Sequence, residues 1–225
     1  MARVHFVSAH FGGPTPWMQQ IRSEHHEVSV AYYNDANTPS RHLAMHPRLK
    51  SKIHKMLEWR FVEADWYVWM DSSIRLTASD PVSLILETAG DAPLCLFRAS
   101  QRQSIAEECS VVRQSIRLGH DYVAKRYCGE PILQQLVHYY GDPLFADNKL
   151  FGMTFFAYHR RAAPLMQDWF TENLVWTIQD QISFPYVLQR SGLNYSLFDG
   201  TIDGVNPLFH WDWKTREANL GVASQ

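Results

Sequence analysis

The sequence predicts an α/β fold: a single Rossmann-like domain on a mixed, mostly parallel sheet. Three observations carry that prediction. Strand-like and helix-like segments alternate along the 225 residues, the pattern of a sheet flanked by helices. One strand, Trp66–Met70 in "ADWYVWMDSSIRL", is apolar throughout, as a strand buried on both faces must be. The polar segments "AHFGG", "NDANTPS" and "DSSIR" lie at strand ends, where open sheets of this class hold ligands.

The elements follow in order. "RVHFVS" (3–8) reads as the first strand, broken by the Gly and Pro of "HFGGPTP". Residues 15–26 read as a helix, with Trp17 and Ile21 four apart on one face. "EVSVAYYND" (27–35) is a second strand. Pro47 opens a helix to about Val62, with Leu49, Ile53, Met56, Leu57 and Phe61 inward. The strand 66–70 follows, and Asp80-Pro81 caps and starts the next helix. "PLCLFR" (93–98) is a strand; 104–118 and 131–140 are helical. "KLFGMTFFAYH" (149–159) is a strand and 162–176 a helix. Residues 180–192 form a helix with Pro185 inside it, and "NYSLF" (194–198) is the last strand. The aromatic tail from 205 to 225, containing "NPLFHWDWK", is expected to close over the site.

Composition narrows the function. Hydrophobic residues make up 46%, enough for a substantial core, and the formal net charge of -2 argues against a surface that coats nucleic acid. No apolar run is long enough to span a bilayer, and the N-terminus is not a secretory signal. Cys95, Cys109 and Cys128 show no metal-ligand spacing and read as reduced thiols of a cytoplasmic protein. There is no GxGxxG or GxxxxGK[ST] loop.

The chemistry centres on Asp71. A carboxylate at the end of a buried strand needs a partner. A magnesium or manganese ion shared with substrate phosphates is one, and it would stabilise a departing diphosphate. Ser73 stands where a second acid would strengthen that signal. His210 and Asp212 lie on the tail, and an imidazole suits manganese better than magnesium. Arg75, Lys52, Lys55 and Lys214 are candidate phosphate partners. The segment 41–60 is locally basic, with Arg48, Lys52 and Lys55 near one side of its helix, a stripe that suits a diphosphate or a polyanion. Asp180 and Gln181 open a helix, where an acid caps backbone amides or meets a reacting hydroxyl. Glu107 and Glu108 are adjacent acids on a third helix.

Taken in order, "VSAHFGG", "AYYND", "SKIHK", "YVWMDSSIRL", "RQSIAEEC", "QLVHYYGDP" and "QDQISFPYVL" resemble a glycosyltransferase-like family. That family, long labelled a domain of unknown function, includes plant Golgi hexosyltransferase-like proteins of wall and mucilage polysaccharides. The resemblance spans roughly residues 3–213 and implies a GT-A fold. It implies that Asp71 with Ser72 and Ser73 faces metal and diphosphate, and that Ser8, Ala9, His10, Phe11, Gly12, Asn34 and Asp35 face the base and ribose. Lys52 and His54 match a Lys/Pro-His region, with Ile53 where Pro is usual. Arg102 and Glu108 match an Arg…Glu pair near the donor sugar, and Asp180 and Gln181 an Asp-Gln pair. His210 resembles the late histidine metal ligand of glycogenin-like families. Plant relatives carry a membrane anchor; without one, this chain is expected to be a cytoplasmic bacterial or phage enzyme.

The expected function is transfer of a hexose from a nucleotide-diphosphate sugar, a UDP-sugar favoured, to an acceptor hydroxyl, with Mn2+ or Mg2+. The acceptor is a glycan, a small molecule or, as in phage DNA glycosyltransferases, a hydroxymethylated base. A non-catalytic module that grips a nucleotide sugar or glycan is the alternative that the missing second acid favours. A structural protein with an aromatic interface is a third.

Overall fold

The computed structural model describes residues 1–13, 19–39 and 45–212. Its main sheet contains β1 (Arg3–His10), β2 (Glu27–Asn34), β3 (Trp66–Met70), β5 (Leu94–Arg98), β6 (Phe151–His159) and β7 (Ser196–Leu197). The strand order is β2-β1-β3-β6-β5-β7. Only β6 runs against its neighbours; the pairs β1–β2, β1–β3 and β5–β7 are parallel. The expected mixed, mostly parallel α/β sheet is therefore present. A separate ribbon joins β4 (Ile74–Leu76) to β8 (Phe209–Trp211) in antiparallel pairing, so the tail does fold back as far as Trp211.

The sheet is buried on both faces. Val7, Tyr67, Trp69, Leu96, Phe156 and Trp169 belong to one apolar cluster. That side is covered by α1 (Pro47–Leu57), α3 (Ile105–Arg117), α5 (Ile132–Tyr140), α6 (Ala163–Val175) and α7 (Asp180–Ser191). Phe6, Val68, Phe97, Phe155 and Phe209 belong to the other cluster, under α2 (Pro81–Ala89) and the ribbon. Alternation along β3 sorts Tyr67 and Trp69 to one face and Val68 and Met70 to the other.

Three local expectations are corrected. No helix occupies 19–26, and the rest of the segment expected to be helical, residues 15–18, lies outside the described residues. Gln19 instead accepts from the Leu76 amide at 2.8 Å and donates to the Leu76 carbonyl at 3.0 Å, laying this stretch along β4. The α1 helix ends at Leu57 and passes into a 3-10 turn at Glu58–Arg60, leaving Phe61 exposed rather than inward. Its inward face carries Lys50, Lys52, His54 and Lys55, while Leu49 and Ile53 are only half-buried. Finally, α4 (Asp121–Tyr127) was not expected. It buries no residue and sits between Gly119 and Gly129, whose φ angles of 71° and 88° suit glycine.

Candidate active site

The site lies where β1, β2 and β3 end and the antiparallel β6 begins. Asp71 follows β3, and its amide donates to the Thr154 carbonyl at 2.9 Å. Its carboxylate accepts from the Trp69 indole at 2.8 Å, two residues back on the same face. Among the described residues it forms no salt bridge. Ser72 Oγ stands 3.4 Å from His10 Nδ1, and Ser73 is buried, its carbonyl accepting from the Asp212 amide at 2.7 Å.

The β1 end contributes a second group. The Gly12 amide donates to Asp35 at 2.7 Å, Lys50 reaches the other Asp35 oxygen at 3.3 Å, and Lys50 Nζ lies 4.4 Å from the Phe11 ring centre. The Gly12 amide, ahead of Lys50, holds the Asp35 carboxyl below its ordinary range. Burial pushes the His10 imidazole down, against Asp35. Ala9 and Ser8 are buried, and the Ser8 hydroxyl has no hydrogen-bond partner among the described residues. Ser8, His10, Phe11, Gly12, Asp35, Ser72 and Asp71 are thus gathered at one edge of the sheet.

Behind them is a closed charge cluster. Lys52 and Lys55 each reach Asp180 Oδ2 at 2.5 Å, and Lys55 also donates to the Met153 carbonyl at 2.6 Å. Burial pushes the Asp180 carboxyl up, but the two ammonium groups outweigh it and hold it well below the usual range. Burial brings Lys52 down to about 8, with Asp180 opposing and Lys55 reinforcing. Gln181 donates to the Phe151 carbonyl at 3.1 Å. Next to Asp180, Gln179 donates to Glu108 at 2.7 Å and accepts from Tyr127 at 3.0 Å, and Glu108 also binds Arg102. The Arg102–Glu108 pair is therefore present and leads through Gln179 to α4.

Two guanidiniums complete the site. Arg48 enters from the start of α1 and Arg126 from α4, and both lie against the Tyr122 ring, at 5.9 and 3.2 Å from its centre. Among the described residues neither forms a salt bridge, and Arg126 Nε is buried without a partner. Burial lowers Arg48, while Tyr127, Asp71 and Asp180 oppose. Burial, then the like charge of Arg48, brings Arg126 down to about 9, with Tyr127 and Asp71 opposing. Two cations that repel each other in a half-buried setting are stabilised by an anion between them. Arg126, Tyr122, Tyr127 and Gln179 were missed in the sequence. The signal available was the two basic residues of "KRY", in a segment too short to show helical periodicity.

Other candidates sit apart from this group. His54 bonds Glu58 at 3.1 Å and stacks on Tyr33 with ring centres 3.4 Å apart, inside a buried network that also includes His5. Those contacts engage Nδ1 and one face of the ring. His210 is exposed on β8, opposite Arg75 in the ribbon, and Arg75 binds Asp212 at 3.1 Å. Among the described residues no three His, Cys, Asp or Glu side chains come together to hold a metal ion. Lys214 lies outside the described residues. No described helix is long and apolar enough to cross a membrane.

Comparison with known proteins adds the family. No curated protein matches the chain. Among solved structures it is similar to a glycosyltransferase involved in the glycosylation of the major capsid of PBCV-1, at 12% identity and a TM-score of 0.45, covering 87% of this chain and 81% of that one. Residues 40–199 match the TOD1/MUCI70, glycosyltransferase-like domain. The matched stretch holds Arg48, Asp71, Arg126 and Asp180 together, and the chain belongs to the TOD1/MUCI70 glycosyltransferase-like family.

Proposed function

We propose that the protein transfers a sugar from a nucleoside diphosphate donor to an acceptor hydroxyl, with the diphosphate held between Arg48 and Arg126 beside Asp71. The observation that carries this reading is the pair of guanidiniums, brought from two helices to one place without an acid partner among the described residues. Guanidinium forks match phosphate oxygens and neutralise charge on a departing diphosphate. The acceptor oxygen bonds the anomeric carbon as the carbon–oxygen bond to the diphosphate breaks. The diphosphate keeps that electron pair, and the hydroxyl proton passes to solvent.

The base and ribose fit against Ser8–Gly12 and Asp35, whose geometry Lys50 fixes. Asp180 acts as a positioning residue, locking Lys52 and Lys55 under the site, because both ammonium groups occupy its carboxylate. Gln179, Glu108 and Arg102 line the approach to the sugar. A Mn2+ or Mg2+ ion arriving with the diphosphate would take Asp71 as its protein ligand and supply further neutralisation. The lysines at 50, 52 and 55 are buried, which leaves them no open surface for a polyanion such as DNA.

Titration with UDP, UDP-glucose and uridine, with and without Mn2+, tests the reading. The diphosphates bind and uridine does not, and Arg48→Ala and Arg126→Ala each weaken UDP by about ten- to a hundredfold, the range of a charged hydrogen bond. UDP-glucose hydrolysis without added acceptor separates an enzyme from a module that only binds. Unchanged UDP affinity in both variants overturns the assignment.

A further inference from the structure

A cavity of about 280 Å3, at the small end of ligand pockets, lies between the start of β6 and the second half of α7. Asn148, Lys149, Phe151, Pro185, Leu188 and Tyr195 form much of its wall. Its position follows from β6. Phe151 begins the strand, and Thr154, three residues on, holds the Asp71 amide. The register of β6 against β5 shifts between Gly152 and Phe156, so that separation is at most about 10 Å, within the reach of one or two sugar rings. Phe151 and Trp69 belong to the same core cluster, and Asp71 shares the face of Trp69, so cavity and carboxylate lie on one side of the sheet. Gln181, next to Asp180, holds the Phe151 carbonyl and so ties the cavity wall to the site.

The wall has a definite chemistry. Tyr195 meets Phe151 edge to face, with ring centres 5.2 Å apart and planes at 84°. Leu188 and Pro185 add apolar surface, and Asn148 adds an amide. Lys149 Nζ stands 5.6 Å from the Tyr195 ring centre and forms no salt bridge among the described residues. No acid among the described residues lines the cavity. The nearest acids in sequence are taken: Asp147 accepts from the Ile105 and Ala106 amides and Tyr140, and Asp142 binds Arg190. An aromatic platform with an uncompensated cation suits a saccharide whose ring packs on the aromatic face and whose substituent is negative.

We propose that this cavity is the acceptor subsite and takes a sugar bearing an anionic group, a carboxylate or a phosphate, with the anion at Lys149 and the ring against Tyr195. The inference rests on the donor reading above, since an acceptor needs a donor beside it. Ligand-detected NMR and calorimetry with methyl glucuronide, glucose 6-phosphate and methyl glucoside test it on the full chain. Both anionic sugars bind, the neutral one about fivefold or more weakly, and saturating UDP does not displace them. The relative strength of carboxylate and phosphate identifies the natural anion. Lys149→Gln, at an exposed position, removes the preference for charge, and Tyr195→Ala weakens all three sugars about tenfold. Absence of binding by the anionic sugars, a charge preference unchanged in Lys149→Gln, or displacement by UDP overturns the proposal. Arg126→Ala loses UDP and keeps the sugars, so failure of the donor site and failure of the acceptor site give different patterns.

Discussion

Two groups of basic residues meet at this site, and they are built on opposite terms. Lys52 and Lys55 are buried and share one carboxylate, Asp180, at 2.5 Å each. Arg48 and Arg126 lie against the ring of Tyr122, repel each other and have no salt-bridge partner among the described residues. The first group carries its own anion as folded, because one carboxylate contacts both ammonium groups. The second reaches its lowest energy only with an anion from outside. Burial alone therefore does not mark a functional cation; a buried cation without a partner does.

The largest effect comes from breaking the first group. Asp180→Ala leaves two buried ammonium groups facing each other and costs about 3–5 kcal/mol of stability in urea denaturation. A loss below about 1 kcal/mol would place Asp180 among groups that touch substrate rather than groups that hold the fold. Next in size is the buried Glu58, which has partners on every side: His5 at 3.2 Å, His54 at 3.1 Å and Tyr33 at 2.7 Å. Burial pushes its carboxyl up, but these bonds together hold it at about 2. A depressed acid lends stability above its unfolded value and loses it as pH falls toward the folded one. The protein should then shed about 3 kcal/mol between roughly pH 4.5 and 2 through this residue, and Glu58→Gln should flatten that part of the curve. An unaltered acid limb in the variant would remove Glu58 from the account. The smallest effect on stability belongs to the open pair. Arg126→Ala leaves the melting temperature unchanged or raises it, because it deletes a repelled, desolvated charge. A clear fall would mean that Arg126 holds α4 in place, and the contrast between the two groups would then fail.

The sequence made part of this legible. Trp66–Met70 is apolar without a break, so Asp71 had to stand at the rim of a buried strand. The same reasoning found Arg48, Lys52 and Lys55 on one side of their helix. It placed Met56 and Leu57 in the core correctly but gave Leu49 and Ile53 the places beside them that Lys52 and Lys55 take, because only the distant Asp180 neutralises those lysines. That partner lies 128 residues away and no local pattern reveals it. The surroundings of His54 are hidden for the same reason, since its partner Glu58 and its stacking neighbour Tyr33 meet it only in the folded chain. Helix α4 buries nothing, so no apolar stripe announced it, and Arg126 went with it. The helix expected at 15–26 came from two apolar residues four apart; its described part, 19–26, is not helical and Gln19 ties it to β4.

The one reversed strand has an effect that a fully parallel sheet would not produce. Because β6 starts where its neighbours finish, the carbonyls of Phe151, Met153 and Thr154 all serve the rim, receiving Gln181, Lys55 and the Asp71 amide in turn. A single inserted residue just ahead of Met153 would turn over the pleat and mismatch the first carbonyl with the other two. The length of this strand's opening turn of chain is thus as tightly constrained as any side chain it supports.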